Sequence, residues 1–456
     1  MSDSSRIEHD TMGLVRVPAN ALYGAQTQRA VENFPISNMR FGRAFLRALG
    51  LVKRSAALAN QQAGVLPAEI VSAIETAAQE VAAGIHDSQF VVDVFQTGSG
   101  TSTNMNANEV IATRASAILG APVHPNDHVN RSQSSNDVFP TALHVAAAQI
   151  AHGSLLPAME VLRQALESKC RQFWEILKIG RTHLQDAVPM RLGQEFGGYA
   201  RQVELSQGRI RKALDGIYEL PLGGTAVGSG INAPAGFAKT AIAVLAETTA
   251  LPFREAENHF EAQAARDAAV FLSGALKSYA LALTKIANDI RWLGSGPRCG
   301  LGELQLPEVQ PGSSIMPGKV NPVIAESVLM VCAQVIGHDA AISWSAGCGA
   351  FELNMMMPIL AYDLLESIEI LATASTNFAD RCILGLEANQ TRLRDSLERS
   401  LALVTSLTPE IGYERAAALA KAAHDSGRTI REVAEESSGI PKEKLAALLD
   451  PSKMVG

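Results

Sequence analysis

The chain has 456 residues, too many for one small core and enough for two or three domains. Hydrophobic residues make up 47% of the sequence and aromatic residues only 5%, a composition that suits closely packed helices. The net charge of -7 argues against a nucleic acid or an anionic membrane as the partner.

Targeting and metal-binding signals are missing from the sequence. No uninterrupted apolar run reaches the roughly 18 residues of a membrane-spanning helix. The N-terminal residues are polar and acidic and lack the apolar core of a signal peptide, so we expect a cytoplasmic protein. The cysteines show no paired spacing, which is typical of reduced thiols; they are Cys170, Cys299, Cys332, Cys348 and Cys382. Neither HExxH nor Cys-x-x-Cys occurs, so the sequence indicates no metal and no cofactor.

The apolar periodicity predicts a mainly helical chain. Residues 1–40 are rich in turn residues and read as loops with a short strand pair. Helical periodicity then predicts helices over 43–62, 68–84, 104–118, 141–170, 190–217, 236–250, 262–293, 323–346 and 357–385. After about residue 390 the predicted helices become short and are separated by glycines, which indicates a compact C-terminal helical domain.

One predicted helix carries a sustained heptad pattern. Its apolar residues recur in alternating steps of four and three: Leu272, Leu276, Tyr279, Leu283, Ile286, Ile290 and Leu293. A stripe of this length needs apolar partners along its whole length. The sequence therefore predicts a bundle of long helices, whose remaining apolar stripes would favour association between chains.

Five polar segments interrupt the helices. They are Thr97–Thr103, His124–Asp127, Ser134–Asp137, Arg181–Asp186 and Gly312–Gly318, all predicted as loops or helix caps. Taken singly, each is more often a turn or a cap than a site. Phosphate binding is not indicated, because Thr103 breaks the GxGxxG spacing after Gly98 and Val320 stands where a P-loop has Ser or Thr.

The last of these segments is the most informative. Gly312–Gly318 has a glycine at each end, and Asn321-Pro322 then opens an apolar-periodic run with a good N-cap and a favoured first residue. A helix start there directs its positive dipole end toward Lys319 and Asn321. The sequence thus predicts a hydroxyl-rich flap over a cationic pocket that suits a small anion.

Read together, these segments resemble the class II fumarase family of the fumarase/aspartase superfamily. The matching strings are TGSGTSTNMNANE (97–109), HPNDHVNRSQSSNDVFPTA (124–142), GRTHLQDAVPMRLGQE (180–195), GGTAVGSG (223–230), KIANDIRWLGSGPR (285–298), GSSIMPGKVNP (312–322) and FELN (351–354). The resemblance covers nearly the whole chain. It implies a three-domain fold with an N-terminal domain (1–134), a central helical bundle (135–390) and a small C-terminal domain (391–456). It further implies a homotetramer with a twenty-helix core and active sites shared by three subunits.

The resemblance also implies an activity and a role for individual residues. The activity is reversible hydration of fumarate to L-malate, a lyase step of the tricarboxylic acid cycle. Ser313 would be the base at C3, and His183, with Glu326 as its charge partner, would activate the water at C2. The remaining matches are substrate-binding positions (Ser99, Thr101, Ser134, Ser135, Asn136, Thr182, Lys319 and Asn321) and a second, peripheral dicarboxylate site (His124, Asn126 and Asp127).

The residue types suit this chemistry without a metal ion. Removing a proton next to a carboxylate places extra charge on that carboxylate, and hydroxyls, amides, an ammonium group and a helix N-terminus can stabilise it. Related activities remain as alternatives: aspartase, which usually has Ala at the position of Gly318, and argininosuccinate or adenylosuccinate lyase, which usually have Gln or His there. A structural lens protein or a non-catalytic dicarboxylate binder are further alternatives.

Overall fold

The computed structural model of the chain describes residues 5–455, and within them the fold is mainly helical. The predicted domain limits at 1 and 456 lie outside the described residues. The helices are α1 (Ala25–Asn33), α2 (Arg43–Gln62), α3 (Ala68–Ala83), α4 (Thr101–Leu119), α5 (Ser135–Ile150), α6 (Leu156–Gln172), α7 (Leu192–Ile217), α8 (Phe237–Thr249), α9 (His259–Ala264), α10 (Asp267–Leu293), α11 (Val323–Ala346), α12 (Met357–Phe378), α13 (Gln390–Arg399), α14 (Thr408–Ile411), α15 (Tyr413–Ser426), α16 (Ile430–Ser437) and α17 (Lys442–Leu448).

The strands are short and form two-stranded pairs in the described part of the chain. They are β1 (Ser5–Asp10), β2 (Gly13–Pro18), β3 (Leu177–Thr182), β4 (Gln185–Arg191), β5 (Glu219–Leu220), β6 (Arg254–Glu255), β7 (Leu304–Gln305), β8 (Gly349–Ala350), β9 (Leu353–Asn354) and β10 (Glu387–Ala388). The pair β1–β2 is the short strand pair predicted for the N-terminal region. The pair β3–β4 corrects a prediction, because residues 181–186 read as a loop in the sequence.

The helix ends follow ordinary capping chemistry. Helix α4 lies between Gly100 and Gly120, which both adopt the left-handed conformation that glycine allows at low cost. Helix α5 begins with a capping box, in which Ser134 and Asp137 satisfy each other's backbone N–H groups. Helix α11 begins at Val323, the start of the predicted range 323–346 and one residue after Pro322, which the N-cap pattern favours as the first helical residue.

By backbone contacts the described residues divide into two compact units. One unit contains the residues up to Pro157 together with Ser206–Ala280 and Cys332–Ala372; the other contains Ala158–Leu205, Leu281–Val331 and the residues from Thr373 onward.

In the first unit, α2 is the most central element of the N-terminal region. It contacts α3, α5 and α8. Gly50 allows the close approach of α3, since a Cβ atom there would lie 2.8 Å from the carbonyl oxygen of Ala78. In the second unit, Ile179 of β3 packs into a small apolar core with Leu397, Leu403 and other C-terminal leucines. This core fixes the base of the β3–β4 hairpin.

The predicted heptad stripe of α10 is buried. All seven of its apolar side chains, from Leu272 to Leu293, are inaccessible or nearly so. The five cysteines are not joined by disulfide bonds, as their spacing predicts. Local periodicity therefore predicted the buried face of this helix.

The membrane expectation needs a correction. By length and composition, three helical stretches could cross a membrane: Ser135–Gln172, Asp267–Leu293 and Val323–Ala346. A search for uninterrupted apolar runs misses them, because polar residues interrupt the runs; in α11, His338 and Asp339 do so although the mean hydropathy of its apolar window is still 1.4. Only 33% of the apolar window of α11 is buried, so this helix leaves a large apolar surface exposed in the single chain.

Candidate active site

The predicted site residues fall into two groups, one in each compact unit. The first unit contains Ser99, Thr101, His124, Asn126, Asp127, Ser134, Ser135 and Asn136, and the second contains Thr182, His183, Ser313, Lys319, Asn321 and Glu326.

Three hydroxyl groups of the first unit form a chain. Ser99 Oγ lies 2.8 Å from Thr101 Oγ1, which lies 2.6 Å from Ser135 Oγ. Thr101 begins α4 and Ser135 begins α5, so two positive helix ends meet here. Gly100 allows the start of α4 to lie this close to α5, since a Cβ atom at Gly100 would lie 2.0 Å from the ring of Phe139. The arrangement suits an anion.

Asp137 attaches a second loop to this hydroxyl chain. Its carboxylate accepts hydrogen bonds from the backbone N–H groups of Ser134 (2.9 Å), Gly223 (2.9 Å) and Thr225 (3.0 Å). Asn136 Nδ2 donates to the carbonyl oxygen of Ala226 at 2.8 Å. Burial raises the pKa of Asp137 to about 6. The sequence pattern marked Asp137 only as part of a cap, although it joins the segments 134–137 and 223–226.

Lys53 is a buried cation that the sequence analysis missed. It lies in the middle of α2, and its Nζ donates to Asn130 Oδ1 (3.0 Å) and Gln133 Oε1 (3.1 Å). Burial lowers its pKa to about 7. The segment 130–133 separates the second predicted dicarboxylate site from Ser134, so Lys53 holds the connection between them. The sequence signal that could have revealed Lys53 is a lysine on the apolar stripe of a predicted helix.

The residues of the second dicarboxylate site lie together at the surface. They belong to a single π-helical turn, Pro125–Val129, and the residue before it. His124 Nδ1 accepts from the backbone N–H groups of Asn126 (3.3 Å) and Asp127 (3.1 Å), and lies 3.3 Å from the Asp127 carboxylate. In this arrangement one nitrogen of His124 is engaged by its own turn. Its role in binding a dicarboxylate stays a prediction.

In the second unit, His183 lies at the tip of the β3–β4 hairpin. Its φ is 56° and that of Leu184 is 60°, so the two-residue turn has two left-handed residues, neither of them glycine. Such turns normally use Asn-Gly, because a left-handed residue with a side chain is strained. Thr182 and His183 are both exposed. Strain of this kind concentrates at functional sites, which makes the turn a candidate site on structural grounds as well.

The flap is a closed loop with a clasp at its base. The N–H of Gly312 donates to the carbonyl oxygen of Lys319 at 2.9 Å, and Asn321 Nδ2 donates to the carbonyl oxygen of Gly312 at 2.6 Å. Inside the loop, Ser313 Oγ accepts from the backbone N–H groups of Ile315 (3.2 Å) and Met316 (3.0 Å). The Ser313 oxygen therefore already faces two donors that would stabilise a negative charge on it.

A cavity of about 860 Å³ lies beside the flap in the second unit. Lys319, Asn321 and Glu326 line it, together with Arg291 and Asn389. Gln305 and Glu308 also line it, so two cations, three amides and two carboxylates face one space. The structure brings these three predicted residues together.

Ser313 and His183 are not part of this cavity. Neither is among its lining residues, and within residues 5–455 no ion pair joins His183 to Glu326 in the single chain. The pairing of His183 with Glu326 stays a prediction.

Glu303, which contacts the hairpin, was not predicted as a site residue. Glu303 is fully buried and forms ion pairs with Lys178 and Arg181 of β3. Arg181 precedes the predicted pair Thr182-His183 directly. The ion pair between Arg181 and Glu303 joins residues that are 122 positions apart in the sequence, so no local pattern could reveal it.

Comparison with known proteins gives consistent matches along the chain. A family model described as "Lyase" matches residues 13–337, and one described as "Fumarase C C-terminus" matches residues 403–456. The class II fumarate hydratase of Thermosynechococcus vestitus is 51% identical over 462 residues, covering 100% of this chain and 99% of the relative. That of Mycobacterium tuberculosis is 57% identical over 432 residues, covering 94% and 91%.

A solved structure agrees with the sequence relatives. The crystal structure of recombinant class II fumarase from Schistosoma mansoni has a TM-score of 0.96 at 40% identity and covers 99% of both chains. The fold, the full-length identity and both family models point to one assignment: the chain belongs to the class II fumarase family of lyases.

Proposed function

We propose that the protein is a fumarate hydratase, which adds water reversibly to fumarate to give L-malate. The observation that carries the proposal is the end-to-end identity of 51–57% with class II fumarate hydratases. The cavity beside the flap suits the substrate class, because Lys319, Arg291 and the amides of Asn321 and Asn389 can hold a carboxylate.

The hard step is the removal of a proton from C3 of malate, a very weak carbon acid. Ser313 takes this proton as the alkoxide, and the electron pair moves into the neighbouring carboxylate to form the aci-carboxylate. The N–H groups of Ile315 and Met316, which donate to Ser313 Oγ, support this role because hydrogen bonds to the charged form lower the pKa of an acid. Lys319 and Asn321 then stabilise the carboxylate charge.

The second step breaks the bond between C2 and its hydroxyl group. Protonated His183 gives its proton to the leaving hydroxide, which departs as water while the double bond of fumarate forms. In the hydration direction the same imidazole accepts a proton from the attacking water. A carboxylate partner such as Glu326 raises the basicity of the imidazole and keeps its orientation. This pairing requires an assembled site, since the two residues are not paired in the single chain.

The remaining predicted residues bind substrate in this proposal. The hydroxyl chain of Ser99, Thr101 and Ser135 lies at two helix N-termini, which favour an anion. Ser134, Asn136 and Thr182 contribute further donors. His124, Asn126 and Asp127 form the peripheral dicarboxylate site, which takes no part in the chemistry.

We also propose a homotetramer with active sites shared by three subunits, and helix α11 supports the association. Its exposed residues Ala333, Gly337, Ala340 and Trp344 follow steps of four, three and four, the spacing of a helix-packing seam. Trp344 is 73% exposed in the single chain. A Cβ atom at Gly337 would meet nothing within 4 Å, so the single chain gives no reason for this helix-destabilising residue. A closely packed helix of a second copy would supply one.

Gly337→Leu is expected to break the tetramer without unfolding the subunit. Leucine favours the helix and fits the open space of the single chain, but it would separate two helices that pack over the small residues. Light scattering after size-exclusion chromatography measures the assembly, and circular dichroism measures the helices. Ala418→Leu, at an exposed small residue of α15, is the matched control and is expected to stay tetrameric. A tetrameric Gly337→Leu variant would contradict the proposed role of the seam.

The assay that tests the function compares two eliminations. Purified protein is given L-malate in one reaction and L-aspartate in another, and the ultraviolet absorbance of fumarate follows both. Rapid fumarate formation from malate alone is expected. Formation from aspartate alone would instead identify an aspartase. Binding of fumarate without turnover of either substrate would identify a non-catalytic dicarboxylate binder or a structural homologue.

Three further assignments accompany the function. The tricarboxylic acid cycle and the cytoplasm are the proposed setting of the reaction. The three-domain division at residues 134 and 390 remains a proposal. It follows the resemblance to the family, in which the central domain contributes the long helices.

A further inference from the structure

The tip of the β3–β4 hairpin has little support of its own. Residues 182–186 are all exposed, and the turn at His183-Leu184 is strained. The pairing of the two strands is irregular between Ile179 and Arg181, so the ladder does not continue evenly to the tip. A side chain near the tip must therefore be fixed by another element if His183 is to keep one orientation.

Arg181 is the residue closest to the turn that has such a partner. Its Nη2 forms an ion pair with Glu303 Oε1, and Glu303 Oε2 lies 3.2 Å from Lys178 Nζ. Glu303 and Lys178 are buried, so water screens the two ion pairs of Glu303, with Lys178 and with Arg181, only weakly. Glu195 provides Lys178 with a second carboxylate at 2.9 Å, whereas no other ion pair of Arg181 occurs among residues 5–455.

Glu303 is itself held at both ends of its backbone. Its N–H donates to the carbonyl oxygen of Leu293 at 2.8 Å, and its carbonyl oxygen accepts from the N–H of Asn389 at 2.9 Å. The next residue, Leu304, begins β7 and lines the cavity that contains Lys319 and Asn321. One rigid residue therefore connects the root of the hairpin with the wall of the cavity.

We infer that Glu303 is a positioning residue for the hydration of fumarate: it fixes Arg181, and through it Thr182 and His183, to the strand that forms the wall of the Lys319 cavity. The inference rests on the proposed function. Glu303 does not touch the substrate, and its effect passes through the orientation of the imidazole. A misplacement of a reacting group by about 1 Å can lower a rate by 10².

The test is Glu303→Gln, which keeps the shape of the side chain and removes its charge. We expect kcat to fall by on the order of 10², the scale of a misplaced catalytic group. KM for malate should change much less than kcat, because only the donor of Thr182 is displaced while the carboxylate-binding Lys319 and Asn321 remain in place. Hydrogen exchange followed by mass spectrometry should show faster exchange over residues 182–186 and unchanged exchange in α10.

The matched control is Glu195→Gln, which removes the other carboxylate of Lys178 and leaves the Arg181–Glu303 pair. It is expected to keep kcat within about threefold of the unmodified protein, because Lys178 retains Glu303 as a partner and the Arg181–Glu303 pair is unchanged. Equal losses in both variants, or normal kcat in Glu303→Gln, would overturn the inference. So would a fall in kcat without faster exchange in the hairpin.

A second variant covers the case in which Glu303→Gln does not fold. Arg181→Lys keeps a cation beside Glu303 but shortens the side chain and removes the planar guanidinium group. It is expected to show the same loss of kcat and the same faster exchange, and a normal value of either would overturn the inference. The exchange measurement needs no substrate. If the unmodified protein fails to hydrate fumarate, the proposed function fails alone, and the anchoring of the hairpin is still tested.

Discussion

Ser313→Ala is expected to lower kcat by on the order of 10² or more in both directions, the usual effect of removing an acid–base group. Alanine cannot take the C3 proton, and the N–H groups of Ile315 and Met316 lose the oxygen to which they donate. The flap should keep its closure, because its clasp is formed by the backbone of Gly312 and Lys319 and by the side chain of Asn321. Steady-state kinetics with malate and fumarate measures the loss.

An isotope measurement separates proton removal from the other steps. Exchange of the C3 proton of malate with deuterated solvent should fall together with kcat in Ser313→Ala. The neighbouring Ser314→Ala is the matched control, since Ser314 is an exposed serine of the same flap. It is expected to retain kcat within about threefold, as a surface substitution should. Near-normal exchange in Ser313→Ala, or a larger loss in Ser314→Ala, would assign the base to another residue.

His183→Asn is expected to cost a similar factor, on the order of 10² or more in kcat. Asparagine tolerates a positive φ better than most residues, so the turn should persist while the imidazole is lost. The loss should persist across the pH range, since the amide cannot exchange a proton with the water. Measuring kcat across pH tests both expectations.

The control for this variant is His424→Asn, at an exposed histidine of α15. We expect its pH–rate profile to match that of the unmodified protein. Retention of the full profile by His183→Asn would show that another group handles the water proton. A loss of the hairpin structure, visible as faster hydrogen exchange over 177–191, would mean that the kinetic loss came from folding.

Much of the helical fold could be read from the sequence because helical periodicity is a local signal. The predicted range 43–62 is that of α2, and 323–346 is that of α11. The hairpin β3–β4 was missed because its turn is His-Leu, without the Asn or Gly that usually marks such turns, and its strands contain Gly180 and Pro189. Short strands with irregular pairing give little alternation to detect.

The contacts that hold the candidate site together were harder to predict. The motif strings predicted site residues on the flap and at the starts of α4 and α5, since these segments interrupt regular helices. Lys53, Asp137 and Glu303 were missed as anchors because their partners lie far away along the chain. A buried charge is visible only after folding shows what surrounds it.

The His183-Leu184 turn has a consequence for the robustness of the protein. A left-handed residue with a side chain costs about 1–2 kcal/mol, and this turn contains two of them in succession. That amount is a sizeable part of the 5–15 kcal/mol by which a typical domain is stable. The chain is therefore less heat-resistant than its core alone would make it. At this turn the backbone conformation that orients the His183 side chain also lowers the thermal stability of the chain.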